Sequence, residues 1–329
     1  MSRRLSVRHD RFELTHPFRI ARGVKTAADV ITVTISQDDI TGRGEGVPYP
    51  RYHENVESGI AAIEQMRPLI EQGMGREALM VAMRAGAARN AVDCALWDLE
   101  SRLSDQPVSE MIGGTTLGPV TSALTVVIDR PPAMGLAAAS IAGAPLIKVK
   151  VDASDPKAQI EAVRRAAPKA RLIVDPNESW DQRMVEGLQS FLVDQQVALL
   201  EQPVPAGEDE WLEGFSPEIP ICADESAHLA SDLPILLGRY QVINVKLDKT
   251  GGLTAALQLA HAARTAGLGL MTGCMVSSSL SIAPALHIAA VSDFVDLDGP
   301  IWLAEDRPGG VTDQGGLLLP PSPGFWGTS

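Results

Sequence analysis

The chain has 329 residues, 45% of them hydrophobic, with 28 basic against 41 acidic residues and a formal charge of −13. That length buries a substantial core and fits one α/β barrel of ordinary size with a smaller domain attached. The charge has the wrong sign for a nucleic-acid surface and does not favour docking on anionic lipid, so an anionic substrate would have to be met by local cations.

The N-terminal stretch MSRRLSVRHDRFELTH is basic but leads into no apolar run of secretory length, and nowhere does the chain approach the roughly 20 apolar residues that cross a bilayer. From Leu5 to Val47 the pattern is strand-like, with alternation in VITVTIS and turn residues in DDITGRGEG, which predicts a small antiparallel meander. From Ala61 to Glu110 the spacing is helical, most clearly in ARNAVDCALWDLESRL, where Ala91, Ala95, Leu96 and Leu99 share one face. Strands followed by helices make residues 1–114 an α+β capping domain.

After Gly113 apolar strands alternate with Ala-rich helical stretches: VTSALTVVI, PLIKVKV, ARLIVD, VALLEQP, IPICADES, YQVINVKL and LGLMTGCM, with an eighth candidate at DFVDLDGP. The alternation predicts a parallel sheet closed into a modified TIM-like (β/α)7β barrel over residues 115–306, with one crossover helix altered or missing. The Gly- and Pro-rich tail, 307–329, is expected to pack back on the capping domain. Cys94, Cys222 and Cys274 are far apart and lack metal-type spacing, so neither a disulfide framework nor a zinc cluster is expected. The reading is a cytoplasmic enzyme with a small-molecule substrate, no nucleic-acid or membrane partner, and a homo-oligomer left open.

Nearly every barrel strand ends in an ionisable residue, and the C-terminal ends of such strands form the active-site face. Lys148 and Lys150 end one strand, Asp175 with Asn177 the next, Glu201 the third, Asp224 with Glu225 the fourth, Lys246 the fifth, and Asp296 with Asp298 the last. Asp175, Glu201 and Asp224 offer only oxygen, which suits Mg²⁺ better than zinc. Period-two geometry puts Lys148 and Lys150 on one side of their strand, where each ammonium is expected to ease deprotonation of the other. Lys246 stands four strands away in the ring and so opposite Lys150; Lys249, three residues on, falls in the following turn and is the weaker candidate. Two bases would then flank one substrate carbon. An α-proton beside a carboxylate is weakly acidic, and a divalent cation on the carboxylate supplies the charge stabilisation that its removal needs.

KVKV, VDPNESW, LLEQP, ICADES and NVKLDKTGG, in this order, resemble the motifs of the enolase superfamily and of its muconate-lactonizing subgroup, with Pro176 a departure from the small residues usual there. A lysine or histidine base with Mg²⁺ belongs to that superfamily's chemistry. DLDGP resembles the Asp-x-Asp with which dipeptide epimerases hold a substrate ammonium, and PFRIARG, PYPRY and GAARNAVDCALWDLE resemble the bacterial L-Ala-D/L-Glu epimerases. The resemblance implies a setting in murein peptide recycling. It implies that the dipeptide's terminal carboxylate meets Mg²⁺ and Lys148, that its ammonium meets Asp296 and Asp298, and that Lys150 and Lys246 exchange the α-proton of the C-terminal residue. An acidic side chain on that residue would need a cation from the capping domain, with Arg22 the candidate and Lys25 and Arg51 its rivals. Within the superfamily the competing activities are o-succinylbenzoate synthesis, cycloisomerisation and N-acyl amino acid racemisation. A metal-dependent hydrolase is the rival from another class, though the six histidines do not fall at these strand ends.

Overall fold

The computed structural model describes residues 3–114 and 116–328. Strands β1 (Arg3–Ile20), β2 (Gly23–Gln37) and β3 (Ile40–Gly46) form an antiparallel sheet, followed by helices α1 (Val56–Glu71), α2 (Arg76–Ala82), α3 (Ala87–Ser104) and the single turn α4 (Val108–Met111). The sequence places turn residues throughout DDITGRGEG, but the chain turns only at Asp38 and Asp39, and ITGRGEG is a strand. Its glycines serve close approach. A Cβ at Gly42, Gly44 or Gly46 would lie 2.3, 2.2 or 2.0 Å from the carbonyl oxygens of Ala95, Ala91 and Ala87. Two strand residues advance about 6.6 Å and four helix residues about 6 Å, so every second residue of β3 meets every fourth of α3.

Helix α3 also corrects the expectation of one apolar face. Arg89, Asn90 and Asp93 are buried as well, because the far side of the helix lies against the barrel. Asp93 accepts from the backbone N–H and hydroxyl of Thr254 at 3.0 and 2.6 Å, Arg89 donates to Gly251 O at 2.9 Å, and Asn90 Nδ2 donates to Asp248 at 2.8 Å. Polar residues there are satisfied by a partner more than 150 residues away, which local periodicity cannot show.

A short β4 (Val120–Thr121) precedes the eight parallel strands β5 (Leu124–Val126), β6 (Leu146–Lys150), β7 (Arg171–Asp175), β8 (Val197–Glu201), β9 (Ile221–Ala223), β10 (Val242–Val245), β11 (Gly269–Gly273) and β12 (Phe294–Asp296). Between them run α5 (Pro131–Ser140), α6 (Pro156–Ala166), α7 (Gln182–Asp194), α8 (Leu233–Leu236), α9 (Leu247–Thr250), α10 (Leu253–Thr265) and α11 (Ser279–Ala289). The crossover from β8 to β9 holds only a 3₁₀ turn at Glu210–Leu212, the altered connection that the modified barrel called for. The ring joins β5 to β12 through Ala123 N–H donating to Val295 O at 2.8 Å. Side chains complete this join: Leu297 N–H donates to the Ser122 hydroxyl at 2.9 Å and Thr125 N–H to Asp298 Oδ2 at 2.8 Å. In the tail, β13 (Thr312–Asp313) pairs with β14 (Leu317–Leu319), which in turn pairs with β4, and Trp326 Nε1 donates to Arg43 O and Cys94 O at 3.0 and 3.2 Å.

Inside the barrel one apolar residue per strand, Ala123, Leu146, Ile173, Leu199, Cys222, Val242, Met271 and Phe294, makes a continuous plug. Strand side chains alternate, so the next inward position lies two residues on. There the layer is Thr125, Lys148, Asp175, Glu201, Asp224, Asn244, Gly273 and Asp296. One step higher stand Lys150, Lys246 and Asp298. The barrel is a packed floor carrying a polar ring, and no described helix is long and apolar enough to cross a membrane.

Candidate active site

The polar ring is crowded with charge. Lys148 Nζ lies 3.1 Å from Asp175 Oδ2, 2.7 Å from Glu201 Oε2 and 2.7 Å from Asp296 Oδ2. Lys150 Nζ is 2.5 Å from the same Asp175 Oδ2. Across the ring Lys246 Nζ lies 2.7 Å from Asp224 Oδ2, and Lys249 Nζ 2.7 Å from Asp224 Oδ1. Strands β6 and β10 have three strands between them in either direction around the ring, so Lys150 and Lys246 stand on opposite walls.

For Lys148 the eased deprotonation expected beside a second ammonium is overridden by these carboxylates. Burial opposes the charge on Lys148, but Asp296, Glu201 and Asp175 outweigh it and hold the ammonium well above its usual range. Burial likewise opposes Lys246, which Asp224 raises. Asp175, despite burial, is held down at about 2 by Lys150 and Lys148, and Asp224 is lowered by Lys246 and Lys249. Glu201 goes the other way, to about 7, through burial and the charge of Asp175. Asp298 rises to about 6 through burial and the charge of Asp296.

The site is short of positive partners for its oxygens. Asn177 Oδ1, Glu201 Oε2, Glu225 Oε2, Asn244 Oδ1 and Asp296 Oδ1 are buried without a hydrogen-bond partner; the close contact of Lys148 with Glu201 Oε2 lacks hydrogen-bond alignment. Such a surplus of buried acceptors calls for cations. Among the described residues no three acidic, histidine or cysteine side chains converge at metal-ligand distances, because lysine ammoniums stand between them. Asp175 and Glu201 are brought around one point; Asp224 faces the opposite pair of lysines.

Above the ring is a cavity of about 360 Å³, roofed by the hairpin tip around Ile20–Lys25 and by the turn Tyr49–Tyr52. Lys148, Lys150, Lys246, Asp224, Asp296 and Asp298 all line it, as do Met275 and Val276. Arg22 also reaches it, but its guanidinium is engaged by the barrel: Nη2 lies 2.5 Å from Glu225 Oε1, and Nη1 donates to Glu178 Oε2 and Asn177 O at 2.9 Å. Arg51 makes two bonds to Glu178, at 2.7 and 2.8 Å. Lys25 is different: its ammonium rests 4.5 Å over the Tyr49 ring and has no carboxylate partner among the described residues. Burial lowers it to about 8.

Asn244 and Glu178 escaped the sequence reading, and Lys249 was ranked there as the weaker candidate. Asn244, two residues before Lys246 on the same inward face, donates to Glu201 Oε1 at 2.8 Å, and strand periodicity would have found it. Lys249, expected in a turn, is carried by the single helical turn α9, which buries it fully on Asp224. Glu178 lies in the loop after β7 and meets partners from the capping domain.

Residues 2–113 match the family model described as the mandelate racemase/muconate lactonizing enzyme N-terminal domain, and residues 134–325 the one described as enolase C-terminal domain-like. An L-Ala-D/L-Glu epimerase of Escherichia coli is 47% identical over 306 residues, covering 92% of this chain and 95% of its own. An N-acetyl-D-glutamate racemase of Pseudoalteromonas is 44% identical, over 91% of this chain and 95% of its own. An Agrobacterium tumefaciens enolase-family member solved with sodium and L-Ala-L-Glu superposes with a TM-score of 0.96 at 44% identity, covering 98% and 99% of the two chains. A dipeptide epimerase of Enterococcus faecalis, solved with Mg and L-Leu-L-Tyr, gives 0.90 at 30% identity, covering 98% of each chain. With both halves of the chain matched and the barrel superposed throughout, the protein belongs to the mandelate racemase/muconate lactonizing enzyme family of the enolase superfamily.

Proposed function

We propose that the protein is a Mg²⁺-dependent dipeptide epimerase that moves the α-proton of the C-terminal residue, with L-Ala-D/L-Glu as its substrate pair. The observation that carries this reading is Lys150 and Lys246 on opposite walls of one cavity whose third side holds Asp296 and Asp298. The relatives named above support it.

Asp175, Glu201 and Asp224 would hold the Mg²⁺. They fit it: all are oxygen donors, all are buried, and the unpartnered Glu201 Oε2 beside a lowered Asp175 marks a place for a hard cation. Bound there, the ion supplies positive charge beside the substrate carboxylate and so makes the adjacent α-proton more acidic.

The chain's own residues do the rest. Lys148, held charged, binds the terminal carboxylate, and Asp296 with Asp298 binds the α-ammonium, which fixes the dipeptide across the ring. With one lysine neutral and the other protonated, the neutral one removes the α-proton from its side while the other delivers a proton from the opposite face. The configuration inverts and the two lysines exchange roles. For the side-chain carboxylate of glutamate, Lys25 takes the place first given to Arg22, whose donors are already taken by Glu225, Glu178 and Asn177. The substrate would place the enzyme in murein peptide recycling in the cytoplasm.

The test is incubation of the protein with L-Ala-L-Glu and Mg²⁺ in D₂O, followed by NMR and chiral analysis. The expected product is L-Ala-D-Glu deuterated at the glutamate α-carbon. Free alanine and glutamate would instead indicate a hydrolase, and turnover of N-acetyl-L-glutamate alone would move the assignment to an N-acyl amino acid racemase.

A further inference from the structure

The roof of the cavity is a long hairpin. Its shaft is fixed to the barrel: Ala304 N–H donates to Glu13 O at 2.8 Å, the Thr15 hydroxyl donates to Trp302 O at 3.0 Å, and Phe18 meets Trp302 edge-on at 4.8 Å. Beyond Phe18 the paired backbone continues to Ile20 and Gly23, so Ala21 and Arg22 are the tip. The tip is tied down by Arg22, and the neighbouring Pro50–Tyr52 turn by Arg51.

Both ties reach one carboxylate, Glu178, although Arg22 also pairs with Glu225 Oε1 at 2.5 Å and donates to Asn177 O at 2.9 Å. Glu178 accepts from Arg22 Nη1, from Arg51 Nε and Nη2, and from Ala206 N–H at 2.9 Å, and its side chain is 7% exposed. The backbone that presents it is unusual. Asn177 and Glu178 are consecutive non-glycine residues in the left-handed region, at φ 48° and 69°. Such conformations are costly for residues with a Cβ and persist where surrounding contacts enforce them. Asn177 faces down, with its N–H on Asp175 Oδ1 at 2.8 Å and its Nδ2 on Asp175 Oδ2 at 3.2 Å. Glu178 faces up to the two arginines. One strained turn thus serves the floor and the roof of the cavity.

We propose that Glu178 is a positioning residue that latches both roof loops over the substrate cavity through Arg22 and Arg51. Arg22 then works as a strap and not as a ligand for the substrate side chain. The latch rests on the reading of the cavity as the dipeptide site. A roof that closes on a ligand reduces apparent affinity in proportion to the time it stands open, so loosening the latch weakens capture and leaves the saturated complex able to react.

The test compares full-length wild type with Glu178→Gln, Glu178→Asp and Arg51→Met, all with Mg²⁺. Amide hydrogen exchange is followed without dipeptide, and kcat and KM are measured with L-Ala-L-Glu. In Glu178→Gln, exchange over residues 18–25 and 49–52 should accelerate about ten-fold while α3 is unchanged, and KM should rise about five- to ten-fold with kcat within about two-fold. Glu178→Asp, which keeps the charge, should fall between, and Arg51→Met should reproduce the effect at residues 49–52. Unchanged exchange in both Glu178→Gln and Arg51→Met, or a fall in kcat at constant KM, overturns the latch. If wild type turns over no dipeptide, the proposed function fails, and the exchange comparison still decides the latch.

Discussion

Lys148 and Asp296 neutralise each other across the barrel seam, Nζ to Oδ2 at 2.7 Å, although they stand 148 residues apart. In the proposed reaction they are the two ends of the substrate's cradle, one for its carboxylate and one for its ammonium. A zwitterionic dipeptide can exchange places with this pair charge for charge. An N-acylated substrate satisfies Lys148 and leaves Asp296 facing a neutral amide.

That asymmetry predicts a change of preference in Asp296→Asn. Loss of a buried carboxylate that pairs with a substrate cation costs about 2–5 kcal/mol, so kcat/KM for L-Ala-L-Glu should fall at least about thirty-fold. Any turnover of N-acetyl-L-glutamate should fall far less. The ratio of the two specificity constants is the readout, and equal losses on both substrates would remove Asp296 from the ammonium site.

The opposed lysines predict a one-sided defect. Lys150→Met and Lys246→Met should each lose epimerisation by at least about 10³-fold, on the scale of lost acid–base catalysis with no substitute group. Each variant should still exchange the α-proton of one epimer with D₂O, Lys150→Met with one configuration and Lys246→Met with the other. Full epimerisation by either variant rules out the two-base scheme.

Lys25, half-buried over Tyr49, lowered to about 8 and without a carboxylate partner among the described residues, is open to pairing with an anionic side chain. Lys25→Met should lower kcat/KM for L-Ala-L-Glu about 10- to 100-fold, the scale of a hydrogen bond to a charged group, and leave L-Ala-L-Leu nearly unaffected. Matched losses on the two dipeptides would return the side-chain site to another cation.

His287 predicts an acid limb in stability that is independent of catalysis. It is 7% exposed, on α11 beside Trp326 at a ring distance of 5.8 Å, and burial lowers it from 6.5 to about 4. The unfolded chain therefore takes up this proton at higher pH than the folded one. The contribution, on the order of 3 kcal/mol, is fully present above about pH 6.5 and is lost as pH falls towards about 4. Urea unfolding of wild type and His287→Gln between pH 7.5 and 4.5 should show a shallower pH slope in the variant.

How much of this could be read without coordinates follows from the range of each interaction. The plug and the polar ring are consequences of period two on eight strands, and so Lys148, Asp175, Glu201, Asp224, Lys246 and Asp296 were legible as strand-end residues facing one space. What the alternation cannot convey is who neutralises whom. Glu178 acts from a turn whose direction is set by left-handed residues, and Lys249 from the single helical turn α9, aimed by its distant contact with Asp224. The lysine pair of β6 looked like a like-charge pair because carboxylates from β7, β8 and β12 are invisible in the local string. The glycines of β3 looked like turns for the same reason: what they touch is a helix about 50 residues further on.

The seam between β5 and β12 is closed partly by Asp298, whose Oδ2 takes the Thr125 N–H that a neighbouring strand's carbonyl would ordinarily receive. Position 298 therefore answers to two demands at once. Any replacement suited to a different ligand must still present an acceptor to Thr125, which confines the workable alphabet there to a few side chains. Asp296 crosses the seam only through its ion pair with Lys148 and takes no backbone N–H there, so a lineage changing its diet could rewrite position 296 first and leave 298 as the hinge pin of the ring.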